Sequence, residues 1–439
     1  MPEKKNRRWL KILIRVIAAV VIVPILLFYL VCYAMPLLYA PFHPLKVVQN
    51  RNSIKLDGKK YNLYWGDLHG HSGLSPDAFF SSPDQYYRYG RDVAKLDFAA
   101  LTDHDAPWGL ASVPKRWKIS VDATRRFQDD GRYVTFIAYE WTSGSGLVCM
   151  VHTLKRLDRW AYQKDPKHFG HRNVYYPGDF APKTVCSVDS SECDTPEKLW
   201  KHLEAYGAIS IPHHPLGGPI FPFKWDHFDE KYEPVVEIYS WHGNSECDGC
   251  PNEIYNAYNN GKHSVRVPLE AGHHFGFIGS SDNHDGYAGN LTHPPRLEKF
   301  LQMFYHGKPT PGPGIAAVYA ERLSREAIFE ALRAHRVYAV TGARIVLDVR
   351  ANETTFMGGR MKSGGRPVSI SIYARGVAPL KKVEVIKNGK TARSYACNGK
   401  TFSKLFTDSD REHAEDYIYI RVTQADGQMA WSSPIWIMK

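Results

Sequence analysis

The 439-residue chain lacks low-complexity and collagen-like sequence, and its length allows two to three packed units, so a disordered or fibrous protein is excluded. It also lacks a stripe of Lys and Arg interleaved with aromatic residues, so nucleic-acid binding is not expected. The net charge is +11, but six basic residues and one acid lie within residues 1–15. The remaining chain is therefore only mildly basic, which would suit a phosphate-bearing substrate.

Cysteine is scarce, with seven residues in the whole chain. One CxxC is present, but no second CxxC follows it and no thioredoxin-like pattern surrounds it, so neither a structural zinc site nor a redox motif is favoured. Disulfides that staple loops are the preferred interpretation, and the candidate pairs are Cys186 with Cys193 and Cys247 with Cys250.

Long apolar runs are absent except for one, which covers residues 16–42 without a charged residue. It exceeds the roughly 20 residues that a membrane-spanning helix needs, and basic residues precede it. The sequence therefore predicts a single-pass anchor in the inner (cytoplasmic) membrane, with the N-terminus in the cytoplasm and the rest periplasmic or otherwise extracytoplasmic. The alternative is a cleaved signal peptide, but the apolar region of such a peptide is only about 7 to 15 residues long.

Strand-like and helix-like patterns alternate over residues 61–344, after a linker at 43–60. Helices are predicted at 82–96, at 195–206 with Thr195 as N-cap, and from Ser324 to 336. Such alternation predicts an α/β fold with a parallel sheet and crossover helices, and the length favours a barrel. Residues 345–439 instead alternate apolar and polar positions without a helix, which predicts a small β-sandwich.

Polar clusters follow six or more of the predicted strands. In parallel barrels the loops at these strand ends form the active site. A single His there is more often a hydrogen-bonded structural residue and an Asp is often a turn cap, but the repetition favours one multinuclear site with nitrogen and oxygen ligands. The motifs are GDLHGHS (66–72), LTDHD (101–105), YEW (139–141), MVHTL (150–154), PHHP (212–215) and SSDNHD (280–285).

These motifs resemble those of the PHP (polymerase and histidinol phosphatase) superfamily, which has H-x-H, T-D-H and S-D-x-H in this order. Here they are His69-Gly70-His71, Thr102-Asp103-His104 and Ser281-Asp282-Asn283-His284. The chain also resembles a PHP-like branch catalogued only as a domain of unknown function, through GDLHxHS, the stretch from Glu237 to Glu246, and Arg336 to Gly342. The resemblance covers residues 60–439 and implies a distorted (β/α)7 barrel that holds two or three divalent Zn, Mn or Fe ions.

The resemblance also implies the metal ligands, position by position. Asp77 departs from the family pattern because it stands six residues after His71, where the family usually has five. The implied sets are His69, His71, Glu140 and Asp282 for a first ion, Glu140, His152 and His214 for a second, and Asp77, His104 and His284 for a third.

Further residues are candidates for roles around the ions. Asp103 and Asp105 either orient His104 or shuttle a proton, or they are turn caps. Of the two imidazoles in His-His-Pro, His214 matches the family ligand, which leaves His213 for the substrate or for a supporting catalytic role. The substrate-lining candidates, which could equally form a plain polar loop, are His242, Asn244 and Glu246.

The sequence thus predicts a membrane-anchored, metal-dependent hydrolase. A metal-bridging hydroxide would attack the ester of a small-molecule or polymer substrate, and a phosphoester is preferred. The same site could hydrolyse a carboxylic ester, carbamate or amide, because a metal hydroxide also attacks carbonyl carbon. A non-catalytic, metal-stabilised binding module is the remaining alternative.

Overall fold

The structure, a computed structural model, describes most of the chain that follows the predicted anchor. The predicted anchor at residues 16–42 lies outside the described part. Among the helices that are described, none is both long and apolar enough to span a bilayer. The described residues are 51–76, 78, 81–106, 109–143, 168–217, 222–254, 261–290 and 312–439.

The helices begin where the sequence supplies capping side chains. Thr195 accepts a hydrogen bond from Lys198 N and Ser324 accepts one from Ala327 N, so both predicted N-caps are confirmed. Two of the described helices were not predicted, because Val113 and Val265 at their N-caps offer no capping oxygen. Within the described residues the helices are α1 Pro83–Asp92, α2 Pro114–Phe127, α3 Pro196–Tyr206, α4 Arg266–Glu270 and α5 Arg325–Arg333.

The strands of the first part of the chain surround a buried apolar core. Strands β2, β3 and β4 run parallel, whereas β5 is antiparallel to both β4 and β6, and β10 is antiparallel to β2. The strands are β1 Ser53–Leu56, β2 Lys59–Asp67, β3 Phe98–Ala100, β4 Val134–Trp141, β5 Arg172–Tyr176, β6 Ile209–Pro212, β7 Val235–Ser240, β8 Gly243–Asn244, β9 Gly276–Gly279, β10 Ile315–Ala320 and β11 Val337–Val340.

The predicted parallel sheet is therefore confirmed for β2 to β4 and wrong for β5, and the α/β class is confirmed. Strands β2 to β6 are neighbours in one sheet, and β7 pairs in parallel with β9 in a separate small sheet. Strand β7 packs beside β6, and β9 packs beside β10 and β11. Because β5 is reversed, its first residue lies at the edge of the sheet where β4 and β6 end.

The C-terminal strands form two further sheet regions. In β15, Val368, Ile370 and Ile372 are buried while the residues between them face outward, as expected for a sheet with one covered face. The strands are β12 Val346–Ala351, β13 Thr355–Phe356, β14 Arg360–Lys362, β15 Val368–Arg375, β16 Leu380–Lys387, β17 Lys390–Ala396, β18 Thr401–Asp408, β19 Glu415–Gln424, β20 Met429–Ser432 and β21 Ile435–Met438.

The large sheet continues across residue 345. One region, β13-β12-β15-β18, is a separate four-stranded sheet. The other contains β16, β19 and β20, and it joins the first part of the chain because β20 pairs with β11. The two parts therefore share backbone hydrogen bonds as well as apolar contacts.

A buried ion network, centred on Glu246, ties the loop after β8 to the C-terminal strands. Arg421 Nη1 lies 2.9 Å from both carboxylate oxygens, and Arg266 Nη2 donates to Oε1 at 3.1 Å. Tyr419 and Trp431 also donate to this carboxylate, at 2.7 and 2.8 Å. The substrate-lining role predicted for Glu246 is therefore wrong, because the carboxylate is fully buried and its oxygens are occupied by protein donors.

We predict that Glu246→Gln destabilises the protein by about 3 kcal/mol, because it removes the charge that compensates buried guanidinium groups. Burial opposes ionisation, but Arg421 and Arg266 hold the pKa of Glu246 below its ordinary value of 4.5. The contribution of the ionised Glu246 to the free energy of unfolding is therefore complete above pH 4.5. It is lost as the pH falls through the lower pKa of the folded state. Urea unfolding of the variant and the wild type from pH 3 to pH 7 measures both effects.

The matched control is Glu321→Gln, which breaks an exposed pair with Lys59. This control should unfold at the wild-type urea concentration. Equal stability of Glu246→Gln and wild type at pH 7 would contradict the anchoring role.

Candidate metal centre

Histidines and carboxylates at the ends of seven strands converge at one site. We call this group the histidine cluster. His69 and His71 follow β2, His104 follows β3, and Glu140 lies near the end of β4. The complete cluster is His69, His71, His104, Glu140, His171, His213, His214, His242, Asp282 and His284.

The carboxylate of Glu140 lies at the centre of the cluster and is 1% exposed. Its Oε2 atom is 3.3 Å from His69 Nε2 and 3.4 Å from His71 Nε2. Its Oε1 atom faces a different set of nitrogens: His171 Nδ1 at 2.7 Å, His104 Nδ1 at 3.2 Å and His213 Nε2 at 3.4 Å. The two oxygens thus divide the histidines into two sets, which is the arrangement expected of a carboxylate that bridges two ions.

Asp282 is the second carboxylate of the cluster. Its Oδ1 atom is 3.2 Å from His69 Nε2 and 3.4 Å from His71 Nε2, and its Oδ2 atom is 3.1 Å from His242 Nε2. Asp282 and His214 both have positive φ, at 53° and 32°. Non-glycine residues rarely adopt this conformation, and where it occurs it is concentrated at functional sites.

The charges of the cluster favour a bound cation. Burial lowers the pKa of His71 to about 3 and that of His213 to about 4, so both rings are neutral at pH 7. Burial also opposes protonation of His69, but Asp282, Glu237 and Glu140 outweigh it and hold the pKa of that ring well above its ordinary value. A positive charge is thus stabilised at the point where His69 Nε2 meets two carboxylates.

Several buried nitrogens of the cluster make no hydrogen bond within the described residues: His71 Nε2, both ring nitrogens of His213, and His214 Nδ1. Buried polar atoms nearly always have a partner, so each such atom requires an explanation. Neutral imidazole nitrogens beside carboxylates are the donor set that Zn, Mn and Fe ions accept. The residues therefore fit a site for more than one ion, and compatible groups include His69–His71–Asp282, His71–His104–His284 and His171–His213–His214.

The other nitrogens of two cluster histidines have partners that orient the rings. His69 Nδ1 is 3.0 Å from Oε2 of the buried Glu237. His71 Nδ1 is 3.2 Å from the hydroxyl of Ser75, which itself donates to Asp103 at 2.9 Å. In the neutral form of each ring we therefore assign the proton to Nδ1, which leaves the lone pair of Nε2 directed at Glu140 and Asp282.

Asp103 and Asp105 hold loops rather than contact the reacting centre. Asp103 accepts from the backbone N–H of Ser72 at 2.7 Å and from the hydroxyls of Ser72 and Ser75. Asp105 accepts from the N–H groups of Thr142 and Val188. Burial raises the pKa of each carboxyl to about 6. The turn-cap interpretation fits these contacts, and the role in orienting His104 or in proton transfer stays a prediction.

The remaining predicted residues divide into three groups. His242, predicted to line a substrate pocket, contacts Asp282 and lies 5.4 Å from the His214 ring. Asn244 is fully buried and bonds the backbone of Pro251 and Glu246, so its predicted substrate-lining role is wrong. Asp77 and His152 lie outside the described residues.

Sequence reasoning missed two functional candidates, His171 and Glu237. His171 precedes its strand, whereas the sequence predictions concern residues at or after the ends of strands. Because β5 is antiparallel, its start lies at the edge where β4 and β6 end. Glu237 lies inside β7 and is 1% exposed, and a buried acid within an apolar strand was the available signal.

The chain is similar to a family of unknown function and to uncharacterized proteins of Chlamydia. A family model described as a protein of unknown function (DUF3604) matches residues 256–360. An uncharacterized protein of Chlamydia pneumoniae is 27% identical over 397 residues, and one of Chlamydia trachomatis serovar D is 26% identical over 400. These alignments cover 86% of this chain, which spans 57% of the length of either relative.

One solved structure that the chain matches is a two-domain protein from Bacteroides vulgatus that contains a predicted PHP-like metal-dependent phosphoesterase. The match covers 88% of this chain and 100% of that chain, with 14% sequence identity and a TM-score of 0.43.

We predict that His171→Ala lowers the number of metal ions bound per chain, because it removes a nitrogen 2.7 Å from Glu140. Elemental analysis after gel filtration measures this number. His227→Ala is the matched control, since that histidine pairs with the partly exposed Glu197 away from the cluster. Full metal content in His171→Ala would remove His171 from the ligand set.

We predict that Glu237→Leu weakens metal binding by about 10- to 100-fold, because His69 loses the acceptor that fixes its proton on Nδ1. Competition with a chromophoric chelator measures the affinity, and circular dichroism verifies the fold. Glu230→Leu, at a half-exposed acid away from the cluster, provides the control. Unchanged affinity in Glu237→Leu would show that the hydrogen bond has no influence on the site.

Proposed function

We propose that the chain is a metal-dependent hydrolase of the PHP type, and that its substrate is a phosphoester. The observation that carries the proposal is the division of the histidines between the two oxygens of Glu140. We also propose that the fold around the site is a distorted seven-stranded barrel. Neighbouring strands around the site support this proposal: β2, β3, β4, β5, β6, β7 and β9.

Two or three divalent ions, of Zn, Mn or Fe, would occupy the cluster. His69, His71, Glu140 and Asp282 would hold the first. The second set is Glu140, His171, His213 and His214, and the third is His104 and His284, beside His71. In this assignment His213 is a ligand rather than a supporting residue, and His171 contributes the nitrogen that the sequence prediction assigned to His152.

Bound ions of this type act as Lewis acids and lower the pKa of water to near 7. The protein residues provide the fixed frame. Glu140 and Asp282 carry the negative charges that balance the ions, and Glu237 and Ser75 keep Nε2 of His69 and His71 directed inward. His242, whose side chain is 24% exposed, lies at the rim where it could contact a substrate that approaches Asp282.

A phosphoester is preferred because a centre with several cations attracts and neutralises an anionic substrate. The mildly basic chain outside residues 1–15 is consistent with this preference. The substrate is a small-molecule or polymer ester, and nucleic acid is not proposed.

We also propose that residues 16–42 anchor the enzyme in the inner membrane with its catalytic part outside the cytoplasm. Two disulfides in the described residues fit an oxidising compartment.

The test uses the full-length chain, purified without chelator and assayed with an aryl phosphodiester, a phosphomonoester and a carboxylic ester. We expect two or three transition-metal ions per chain and chelator-sensitive hydrolysis of a phosphoester. Glu140→Gln should lose metal and activity while it stays folded, because the neutral amide removes the central negative charge that would balance the ions. Glu197→Gln, at an exposed acid on α3, should keep both.

Each other outcome has a distinct meaning. Hydrolysis of the carboxylic ester alone would favour the carbonyl alternative at the same site. A metal-loaded protein without activity on any ester would favour the binding module. A folded chain that binds no metal, or an active and fully metallated Glu140→Gln variant, would overturn the proposal.

A further inference from the structure

The Cys247–Cys250 disulfide lies directly beside the buried ion network of Glu246. It closes a four-residue CxxC loop, and the chain that the structure describes also contains a second disulfide, Cys186–Cys193. The two sulfurs of the CxxC differ in environment, since Cys247 is half-buried and Cys250 is buried. A thiol from solution therefore has better access to Cys247.

Two guanidinium groups contact the buried sulfur. Arg421 Nη1 is 3.6 Å from Cys250 Sγ, and Arg266 Nη2 is 3.9 Å from the same atom. Neighbouring cations stabilise a thiolate, and a stabilised thiolate makes a disulfide easier to reduce. A neutral disulfide gains little from two guanidinium groups, so their contacts favour the reduced form.

The arginines stay in place whichever form the cysteines adopt. Glu246 accepts from both of them, and Glu384 Oε2 accepts from Arg421 Nε at 2.9 Å. These carboxylates offset part of the positive charge, but the donors that face Cys250 are already oriented. Formation of a thiolate at this position therefore needs no rearrangement of the network.

The other disulfide has a different environment. Cys186 is 4% exposed and Cys193 is 7% exposed, so both cysteines of this pair are buried, whereas Cys247 is half-buried. In the part of the chain that the structure describes, no arginine donates a hydrogen bond to either sulfur. Their backbone carbonyls accept from Tyr139 and Trp141 of β4. This pair therefore serves as an internal reference for a structural disulfide.

We propose that Cys247–Cys250 is a redox-active disulfide that exchanges with thiol reductants. The thiolate of a reductant attacks Cys247 Sγ, the bond between the two sulfurs breaks, and Cys250 leaves as a thiolate beside Arg421 and Arg266. A second thiolate of the reductant then attacks the mixed disulfide at the reductant sulfur. Cys247 is released as a thiol after it takes up one proton, and the reductant leaves as a disulfide. Two electrons pass from the reductant to the cysteine pair.

The experiment equilibrates the full-length chain in buffers of increasing reduced-to-oxidised glutathione ratio. Free thiols are then alkylated, and each cysteine-containing peptide is quantified by mass spectrometry. We expect the dithiol-to-disulfide ratio of the 247–250 pair to exceed that of the 186–193 pair by at least about tenfold, or about 30 mV. Equal ratios for the two pairs, or a lower dithiol-to-disulfide ratio for the 247–250 pair, would overturn the proposal.

Arg266→Gln tests the cause of the difference. Removal of this guanidinium should shift the 247–250 pair towards the disulfide and leave the 186–193 pair unchanged. The matched control is Arg322→Gln, at an exposed arginine paired with Glu326. A 247–250 equilibrium identical in Arg266→Gln and wild type would exclude the role of Arg266.

A second variant, Cys247→Ser, leaves Cys250 as a thiol. The rate of its alkylation against pH should give an apparent pKa below about 8.5, the value of an ordinary thiol. An apparent pKa at or above that value would contradict the stabilised thiolate, and this measurement does not depend on any metal or on the proposed hydrolysis.

Discussion

The burial of the Glu140 carboxylate is the constraint on which the site depends. A buried charge is stable only when other groups compensate it, and five imidazole nitrogens from four parts of the chain lie within 3.4 Å of its two oxygens. The ends of β2, β3 and β6 and the start of β5 must therefore lie at the same edge of the sheet. Asp282 adds a second buried charge, so the whole group concentrates negative charge where cations can bind.

The cluster is held by a surrounding layer of hydrogen bonds. Glu237 orients His69, and Ser75 with Asp103 orients His71. The positive φ of His214 and Asp282 carries a conformational cost, which persists only where neighbouring contacts fix the backbone. This layer explains why acids such as Asp103 follow predicted strands without contacting the centre: they hold the loops that carry the ligands.

The C-terminal strands are joined to the rest of the molecule by more than apolar contact. Strand β20 extends the large sheet through β11, and Glu246 bonds Tyr419 and Arg421 of β19. The loop that carries Glu246 also contains the CxxC disulfide, and the hydroxyl of Ser245 in the same loop accepts from Leu216 N. One segment therefore contacts the C-terminal sheet and the turn that follows His214.

The sequence by itself determined the mixed α/β class, the helix starts at Thr195 and Ser324, and the residues that follow β2, β3, β4, β6 and β9, because caps and strand patterns are local. It could not determine that β5 is antiparallel, since strand direction depends on pairing between distant segments. That reversal alone brings His171 to Glu140. Similarly, the sequence around Glu246 predicted a loop that lines a substrate pocket. Its carboxylate is instead buried against Arg421, which is far away in the sequence, so only the tertiary structure shows this contact. Local patterns identify which groups can do chemistry, whereas tertiary packing decides which of them meet.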